Sequence, residues 1–330
     1  MHKAFISGIG HYLPKRIMTN DDLSKIMDTS NEWIIERTGI KQRHFVLPNQ
    51  GPSDIAIPAT KDALKMANMS ESDIDLIIFT TSTPDYYAPG SGCLLQDKMG
   101  FNNIGALDIR VQCSGFIYGL SIANQYIKTG EAKNILLVSS EVQSTTLNLS
   151  SKGRDTAVIF ADGAGAAIIS ATKEDKGIIS THIHSEGRYA KELYIQSPST
   201  IDSPTLSDEI LKKGKHYLYM NGREVFKHAV KRFPEAINEA LEKNNLKINQ
   251  LDILIPHQAN SRITEFVAKK MKIPKERIIS NIDRVGNTTS ASIPIAFSEA
   301  VLTRKIKKGQ NIILAAFGSG FTWGSALIKW

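Results

Sequence analysis

Cys113 is the residue whose position best suits nucleophilic chemistry. It lies in ALDIRVQCSGFIYGL, residues 106–120, where a strand-like run ends and an apolar helical pattern begins. A thiol at the first turn of a helix lies among unpaired backbone N–H groups, and the helix dipole there favours the thiolate by ~0.3–1 kcal/mol, or up to ~2 kcal/mol when partly buried. We therefore expect a pKa below the usual value and a competent nucleophile near neutral pH. The alternative is a cysteine that only packs in the core.

Two polar residues in the second half have suitable chemistry for acyl transfer. His257 in ILIPHQANSR, residues 253–262, follows an apolar run, and imidazole both donates and accepts protons near neutral pH. Asn287 in DRVGNTTSASIP, residues 283–294, would present an amide N–H to developing negative charge. Taken alone, each motif also fits a structural histidine or a capping asparagine.

The glycine clusters, two histidines and Cys93 are the remaining candidates for a site. Three closely spaced glycines in AAFGSGFTWGSALI would let backbone N–H groups approach a ligand, whereas FADGAGAAII lacks the spacing of a dinucleotide site, which excludes that cofactor. His182 and His184 share one strand face, and without a third ligand nearby a solvated face is favoured over a metal site. Cys93 is expected to pack in the interior or at an interface.

The composition is that of an ordinary globular protein. The 330 residues are 42% hydrophobic and 22% charged, with 40 Lys and Arg against 33 Asp and Glu, a formal charge of +7. No block of five basic residues occurs, so nucleic acid is not an expected partner, while acidic proteins and phosphorylated small molecules remain candidates. Two cysteines, a strand-like N-terminus and apolar runs of strand length predict a cytoplasmic protein without a membrane span.

The elements that must position these residues repeat along the chain. Short apolar runs alternate with amphipathic stretches, which indicates an α/β fold with strands buried between helices. IDLIIFTTST and KNILLVSS in the first half resemble LDILIPHQAN and QNIILAAF in the second. The spacing from Asp75 to Asn134 is 59 residues, and that from Asp252 to Asn311 is also 59. Equal spacing favours a duplication over a coincidence between common βαβ units.

The duplication assigns the cysteine a partner position. The same offset that leads to Cys113 leads to Ser290 in the second copy, where a helix is predicted over 290–304. Two halves packed face to face would bring both helix starts to one pseudo-twofold axis, where we expect the site. The predicted division is an N-terminal half with the nucleophile, 1–172, and a C-terminal half with the histidine and asparagine, 173–330, which includes a cap or interface excursion at about 185–222.

Together the motifs resemble a known family. In this order and spacing, GIGHYLPKRIMTNDDL, NEWIIERTGIKQRH, CSGFIYGL, ADGAGAA, PHQANSRI, GNTTSASIP and FGSGFTWGSALI make nearly the whole chain similar to β-ketoacyl-acyl carrier protein synthase III, the initiating condensing enzyme of the thiolase superfamily. The resemblance implies a thiolase-like, duplicated five-layer αβαβα fold and a homodimer. It also implies an acyltransferase of fatty acid synthesis that uses acyl-CoA and malonyl-acyl carrier protein and needs no metal or redox cofactor.

The resemblance further implies a catalytic triad of Cys113, His257 and Asn287. The Cys113 thiolate would attack the acyl-CoA thioester, and the backbone N–H groups of Cys113 and Ser319 would stabilise the oxyanion. Malonyl-acyl carrier protein would then lose CO₂ while His257 and Asn287 hydrogen-bond the enolate oxygen. The carbanion would attack the acyl-cysteine and give a 3-oxoacyl-acyl carrier protein. With Asn287 present and no cysteine after Cys113, the chain looks decarboxylative and CoA-primed.

Substrate-binding residues are implied in the same way. Trp33 and Arg154 would flank the CoA adenine, Arg37 would meet the phosphates, and Asn260 would contact the pantetheine arm. A basic patch would receive the acidic carrier protein, with a solvated helix face as the alternative. The residues of that patch are Arg262, Lys269 and Lys270.

Two departures from the family pattern bear on the primer. Ser319 replaces the middle glycine of the usual terminal triplet. Ala88 stands where acetyl-primed members tend to have a bulky aromatic residue that closes the partner subunit's acyl pocket, so a longer primer would fit unless Tyr86 and Tyr87 refill the space. A specialised relative with an unusual primer or acceptor in secondary metabolism is therefore the first alternative. A papain-like cysteine hydrolase shares the Cys, His, Asn order but not the flanking sequence, and is the remote one.

Overall fold

Strands and helices alternate along residues 2–330, the part of the chain that this computed structural model describes. The strands are β1 (Lys3–Tyr12), β2 (Arg16–Thr19), β3 (Gln42–Phe45), β4 (Leu76–Thr80), β5 (Gly105–Ile109), β6 (Asn134–Val142), β7 (Asp162–Thr172), β8 (Gly177–Ser185), β9 (Leu193–Ile195), β10 (Leu218–Met220), β11 (Ile253–Pro256), β12 (Asn311–Gly318) and β13 (Thr322–Lys329). The helices are α1 (Asn20–Ser24), α2 (Asn31–Thr38), α3 (Pro52–Ala67), α4 (Ser91–Met99), α5 (Gly115–Thr129), α6 (Arg154–Ala157), α7 (Asp208–Lys212), α8 (Gly222–Glu242), α9 (Ser261–Met271), α10 (Ile282–Val285) and α11 (Ser292–Leu302).

The two main sheets have the same strand order. The first is β1-β7-β6-β4-β5 and the second is β8-β13-β12-β11. In the first sheet β4 runs parallel to both β5 and β6, in the second β11 runs parallel to β12, and the remaining pairs are antiparallel. The second sheet has no full equivalent of β5 among the described residues. In its place, Ile278 forms a single parallel bridge with Leu254 of β11, on the side where β5 pairs with β4 in the first sheet. The predicted duplicated α/β fold is confirmed, while the exact division at residue 172 stays a prediction.

The repeated Asp and Asn residues form the same contact in both halves. The Asp75 backbone N–H donates to the Asn134 carbonyl at 2.9 Å, and the Asn134 N–H donates back to the Asp75 carboxylate at 2.9 Å. Asp252 and Asn311 make the corresponding bonds at 3.0 and 2.8 Å. Each pair fixes the start of one parallel strand against the next, which explains the equal sequence spacing.

Five layers result from the way in which helices cover the sheets. Helices α3 and α4 pack on the outer face of the first sheet, and α8 and α9 on the outer face of the second. Helices α5 and α11 lie between the sheets, where an apolar core includes Phe116, Phe297 and Leu314. Helix α11 is buried nearly all round, as expected for a helix sandwiched between two sheets. Both central helices begin at the same end of the molecule.

Two predicted elements differ in detail. The helix predicted over 290–304 is a 3₁₀ turn, Thr289–Ala291, followed by α11, because the chain turns sharply before it enters the central layer. The predicted excursion at 185–222 contains ordered elements: β9 and β10 pair antiparallel, and Leu193 and Ile210 are buried. Within residues 2–330, no helix has the length and apolarity needed to cross a membrane.

Candidate active site

The nucleophile candidate, Cys113, lies where the chain turns from β5 into α5. It belongs to a 3₁₀ turn, Gln112–Ser114, and Gln112 has a φ of 42°, in the left-handed region that few non-glycine residues adopt. The end of β12 packs directly on the thiol, because a Cβ at Gly318 would lie 2.4 Å from the Cys113 Cβ. Only glycine fits at this contact. The side chain of Cys113 is therefore held tightly and is 4% exposed.

The expected low pKa of the Cys113 thiol is wrong. Burial, with a smaller contribution from the charge of Glu141, raises it to about 12, and the nearby backbone N–H groups of Ser319 and Cys113 only partly oppose this. The desolvation of a fully buried thiolate outweighs a helix-dipole effect of at most ~2 kcal/mol. At neutral pH Cys113 is thus a thiol, and the proton must leave during the reaction.

The C-terminal glycine loop brings a second N–H group to the sulfur. The backbone N–H of Ser319 faces the Cys113 thiol, as does the N–H of Cys113 itself. The Ser319 hydroxyl donates to the Leu193 carbonyl in β9. The extra side chain at this position, which departs from the family pattern, therefore ties the glycine loop to the cap. The backbone pair predicted as the oxyanion hole lies next to the sulfur.

His257 follows β11 and is 1% exposed. Its Nδ1 lies 2.6 Å from the Ser292 hydroxyl, which also accepts the Gln258 backbone N–H at 3.3 Å. In the tautomer in which the Ser292 hydroxyl donates to Nδ1, the ring proton lies on Nε2. The buried Nε2 has no partner among residues 2–330. Burial lowers the pKa of His257 to about 3, so the ring is neutral.

Asn287 lies in the loop that precedes α11 and is 4% exposed. Its Oδ1 accepts the Thr289 backbone N–H at 2.9 Å. Its backbone bonds to the first half, donating to the Ile159 carbonyl at 3.0 Å and accepting from the Ala161 N–H at 2.9 Å. The amide is oriented by Oδ1, and its Nδ2 has no hydrogen bond within the described residues. The donor group is thus available to a ligand.

These three residues line one pocket of about 460 Å³. Trp33, Arg37, Asn260 and Arg262 line the same pocket, so the structure brings most of the predicted CoA and carrier-protein residues to one opening. Sequence reasoning missed the lining contributed by the cap and α8. Those residues include Leu193, Met220, Arg223, Phe226 and Ala229.

Two arginines lie over the ring of Trp33. The guanidinium carbons of Arg37 and Arg154 lie 4.7 and 4.5 Å from the ring centroid, and Arg154 also donates to the Asp28 carbonyl at 2.9 Å. A base between Trp33 and Arg154 would need roughly 7 Å, two van der Waals contacts. Arg154 is not among the residues lining the pocket, and an adenine would have to displace it from the ring.

Helix α9 starts at the pocket and carries the predicted basic patch. Asn260 caps it by accepting the Arg262 N–H at 2.9 Å, and its Nδ2 donates to the Arg37 carbonyl at 2.9 Å. Arg262, Lys269 and Lys270 are exposed. Arg262 and Lys269 are seven residues apart and lie on one side of the helix, whereas Lys270 lies about 100° further round it.

A buried carboxylate that sequence reasoning missed joins the two halves beside Cys113. Glu141 accepts from the Ser82 N–H at 3.0 Å, the Ser82 hydroxyl at 2.6 Å and the Thr83 hydroxyl at 3.2 Å. Its other oxygen accepts from the Ser290 hydroxyl at 2.6 Å. Ser290 is the position that the duplication paired with Cys113, so the prediction that the two helix starts meet is confirmed. No sequence pattern marked Glu141, because its partners come from two distant segments, at Ser82–Thr83 and at Ser290.

Two structural expectations change. Cys93 is exposed on α4 in the protomer, which rules out packing in the interior, while packing at an interface stays a prediction. His182 and His184 do not form a solvated face, because both contact Glu239 of α8, at 3.6 and 2.6 Å. Among residues 2–330, no group of three or more His, Cys, Asp or Glu side chains is placed to hold a metal ion.

Comparisons with known proteins agree with this geometry. Residues 107–187 match the family model described as 3-oxoacyl-[acyl-carrier-protein (ACP)] synthase III, and residues 241–330 match its C-terminal counterpart. The β-ketoacyl-[acyl-carrier-protein] synthase III proteins of Methylococcus capsulatus and Clostridium perfringens are each 45% identical, over 98% and 100% of both chains. The chain belongs to the 3-oxoacyl-[acyl-carrier-protein] synthase III family. This membership excludes the papain-like alternative.

Solved structures of this family have the same fold. The crystal structure of 3-oxoacyl-[acyl-carrier-protein] synthase III from Aquifex aeolicus superposes with a TM-score of 0.90 at 41% identity, and 100% of both chains is covered. That of Thermus thermophilus gives 0.91 at 38% identity, with 99% of both chains covered. The fold predicted from the resemblance, a thiolase-like α/β architecture, is confirmed.

Proposed function

We propose that this chain is a 3-oxoacyl-acyl carrier protein synthase III, which transfers an acyl group from CoA to Cys113 and condenses it with malonyl-acyl carrier protein to initiate fatty acid synthesis. The observation that carries the proposal is the meeting of Cys113, His257 and Asn287 in one pocket. One half supplies the nucleophile and the other supplies two neutral donors. Neutral donors suit an enolate, which needs hydrogen bonds on its oxygen rather than a strong base.

In the first step the Cys113 sulfur attacks the thioester carbonyl carbon. A new carbon–sulfur bond forms as the bond to CoA breaks, and the thiol proton ends on the CoA sulfur, so that CoA leaves as a thiol. The N–H groups of Cys113 and Ser319 donate to the oxyanion. Because the thiol is protonated and His257 is neutral at rest, proton loss accompanies attack rather than preceding it.

In the second step the malonyl thioester loses CO₂. The electron pair of the broken carbon–carbon bond forms an enolate, whose oxygen accepts hydrogen bonds from His257 Nε2 and Asn287 Nδ2. Carbon attack on the acyl-cysteine forms the product and expels the Cys113 sulfur, which regains a proton from water. Departure of CO₂ and cleavage of the thioester drive the reaction, so no metal or redox cofactor is required.

Both substrates would use the same opening. Trp33, Arg37 and Arg154 supply an aromatic ring and two cations for a nucleotide carrying phosphates, and Asn260, which lines the same pocket, would contact the pantetheine arm. The exposed cations of α9 and the charge of +7 suit an acidic carrier protein. Binding of CoA and of carrier protein to these residues is part of the proposal.

A homodimer is the proposed assembly. Strand β5 pairs on one side only, with β4, and Leu107 on it is exposed, so a second copy could extend the sheet. Tyr86 and Tyr87, next to Ala88, are 61% and 69% exposed in the protomer, which is typical of residues that a partner covers. Two free cysteines agree with the reducing cytoplasm as the compartment.

Intact-mass analysis tests the function. Wild-type protein incubated with acetyl-CoA is expected to gain one acetyl group, and Cys113→Ala none, while the matched variant Cys93→Ser reacts like wild type. Addition of malonyl-acyl carrier protein should remove the adduct and yield 3-oxoacyl-acyl carrier protein. An undiminished adduct on Cys113→Ala would overturn the assignment of the nucleophile. Removal of the adduct by water alone, at the same rate, would indicate a hydrolase.

A further inference from the structure

The ends of β6 and β12 each pack on the helix start of the other half. Glu141 and Gly318 lie at the same position in these strands, seven residues after the first residue of each. A Cβ at Gly318 would lie 2.4 Å from the Cys113 Cβ, whereas the Glu141 carboxylate lies 2.6 Å from the Ser290 hydroxyl. The duplication thus places a glycine where the thiol needs space and a carboxylate where the second half has a serine.

The Glu141 carboxylate is surrounded by donors. It is fully buried and forms no ion pair within residues 2–330. The backbone N–H groups of Ser82 and Ser290 donate to it at 3.0 and 3.4 Å, and the Gln143 side-chain amide donates at 3.3 Å. Because N–H groups can only donate, both carboxylate oxygens are needed as acceptors. One oxygen serves the first half, and the other serves only Ser290.

Ser290 belongs to a turn with an unusual backbone. The residue before it, Thr289, has a φ of 52°, in the left-handed region that β-branched residues rarely adopt. Such a conformation persists only where the surrounding structure holds it. The buried Thr289 hydroxyl has no partner among residues 2–330, so this side chain supplies no hydrogen bond that holds the turn. The bonds of Ser290 to Glu141 are made one residue further along and fix the turn against β6.

The orientation of the Asn287 amide depends on this turn. Its Oδ1 accepts the Thr289 N–H at 2.9 Å, and within the described residues this is the only hydrogen bond of the side chain. Another backbone conformation at Thr289 would move the N–H and leave the amide free to rotate. In the proposed condensation Nδ2 has to stay aimed at the enolate oxygen, so a loosely held amide would stabilise the enolate less well.

We propose that Glu141 is a positioning residue for the condensation step. By accepting the Ser290 N–H and hydroxyl, it holds Thr289 in its left-handed conformation and thereby keeps the Asn287 amide aimed at the enolate. Glu141 is fully buried and does not line the pocket, so it acts through Asn287 and not by touching substrate. This inference rests on the proposed function and extends the enolate site to a residue of the first half.

Glu141→Gln tests the proposal, because it keeps the size of the side chain but turns an NH₂ group towards one of the two sets of donors. Single-turnover condensation of the acyl-enzyme with malonyl-acyl carrier protein is expected to slow at least about tenfold. Acylation of Cys113 by acetyl-CoA, followed by intact mass, should not slow. Glu141→Asp keeps both oxygens and should recover part of the condensation rate. The control Asp75→Asn makes the same acid-to-amide change beside the other end of β6 and should leave both rates unchanged.

Coupling to Asn287 separates positioning from a general loss of structure. In Asn287→Asp the amide donor is already absent, so its orientation no longer matters. Adding Glu141→Gln to that variant should therefore change the condensation rate by no more than about twofold. If the two losses multiply instead, Glu141 acts by a route that does not involve Asn287, and the proposal is wrong.

Other outcomes would also overturn the proposal. Unchanged condensation in Glu141→Gln, or an equal loss in both steps, would show that the Asn287 amide does not depend on Glu141. If circular dichroism shows that Glu141→Gln is unfolded, Ser290→Ala replaces it, because this change removes only the hydroxyl link. Condensation should then slow several-fold without slower acylation, and an unchanged ratio of the two rates would defeat the inference alone. No acylation of wild-type Cys113, or unchanged condensation in Asn287→Asp, would defeat the proposed function and this inference with it.

Discussion

The two halves of the molecule share a framework of strands and helices, but they carry different polar side chains at the strand ends and helix starts. Their sheets have the same order, and the contact of Asp75 with Asn134 recurs at Asp252 and Asn311. At the helix start of the first half is the Cys113 thiol, whereas the equivalent turn of the second half carries Ser290, whose hydroxyl bonds a buried carboxylate. Identical frameworks therefore support different side chains at the same end of the molecule.

This difference separates residues that stabilise from residues that react. The first half has the proposed nucleophile without the neutral donors, and the second half has the proposed donors without a thiol. Neither half holds a complete site, so the packing of one on the other, bridged by Glu141 and Ser290, is what assembles it. Substitutions at strand ends are expected to change single reaction steps, while substitutions in the shared framework change the free energy of unfolding.

The largest effect is expected for Asn287→Asp. This change keeps the size of the side chain but removes the N–H donors from the proposed enolate site. Condensation of the acyl-enzyme with malonyl-acyl carrier protein should slow by about 10²–10³-fold, the usual cost of losing one oxyanion donor. Single-turnover product formation measures this, with Asn102→Asp at an exposed position as control. Acylation of Cys113 by acyl-CoA should stay within a few fold of wild type, and an equal loss in both steps would contradict the division of roles.

A smaller effect is expected for Ser292→Ala. It removes the hydroxyl that lies 2.6 Å from His257 Nδ1 and frees the ring to adopt the other tautomer. Condensation should slow by about 10–100-fold, as for other residues that orient a functional histidine, while acylation is unchanged and Ser292→Thr recovers most of the rate. Ser298→Ala is the matched control. Ser298 lies on the same helix as Ser292 but away from the site, and its hydroxyl lies 2.9 Å from Nδ1 of another histidine, His11 in β1. Equal rates for the two alanine variants would show that Ser292 does not act through His257.

The pH dependence of stability gives a third test. Burial lowers the pKa of His257 to about 3, from an ordinary value of 6.5. Between these values the unfolded chain binds a proton that the folded chain does not. The free energy of unfolding should therefore decrease as the pH falls from about 6.5, by up to about 1.4 kcal/mol per pH unit from this residue. Urea unfolding at pH 6 and pH 4 should show a smaller decrease in the free energy of unfolding for His257→Gln than for wild type. Equal decreases in the two proteins would mean that His257 has an ordinary pKa in the folded chain.

The smallest effects are expected in the shared framework. Asp75 accepts two backbone N–H groups, from Lys133 and Asn134, and Asp252 accepts one, from Asn311. Asp252→Ala should cost about 1 kcal/mol of unfolding free energy, and Asp75→Ala somewhat more, from the value of typical hydrogen bonds. Urea denaturation measures both, and acylation of Cys113 should not change in either variant. A larger loss for Asp252→Ala would show that the two contacts are not equivalent.

Much of the framework could be predicted from sequence because short apolar runs and repeated residue spacings determine its strands and helices. The paired Asp and Asn residues revealed the duplication, since their hydrogen bonds require a fixed spacing. The position of Cys113 at a helix start marked it as a possible nucleophile, whereas His257 and Asn287 also fitted structural roles and were assigned as its partners only through the family resemblance. Their convergence followed from the duplication, which made both helix starts face one axis.

The remaining features depend on packing between distant segments. The pKa of Cys113 was predicted in the wrong direction because the local pattern showed a helix start but not the glycine loop that buries the thiol. Glu141 and Ser292 were missed for the same reason, since their partners lie up to 149 residues away. The sequence predicted an irregular cap because its two strands are only three residues long and are separated in sequence, so no hydrophobic alternation marks their pairing.

The burial of Cys113 also bears on how this protein withstands oxidants. Peroxides and alkylating agents react with thiolates, and Cys113 is a protonated thiol that is 4% exposed, whereas Cys93 is open to solvent. We expect mild oxidation to modify Cys93 first and to spare Cys113. A covalent inhibitor would need to resemble a thioester closely enough to occupy the two N–H groups before meeting the sulfur, so general electrophiles would be poor probes of this enzyme.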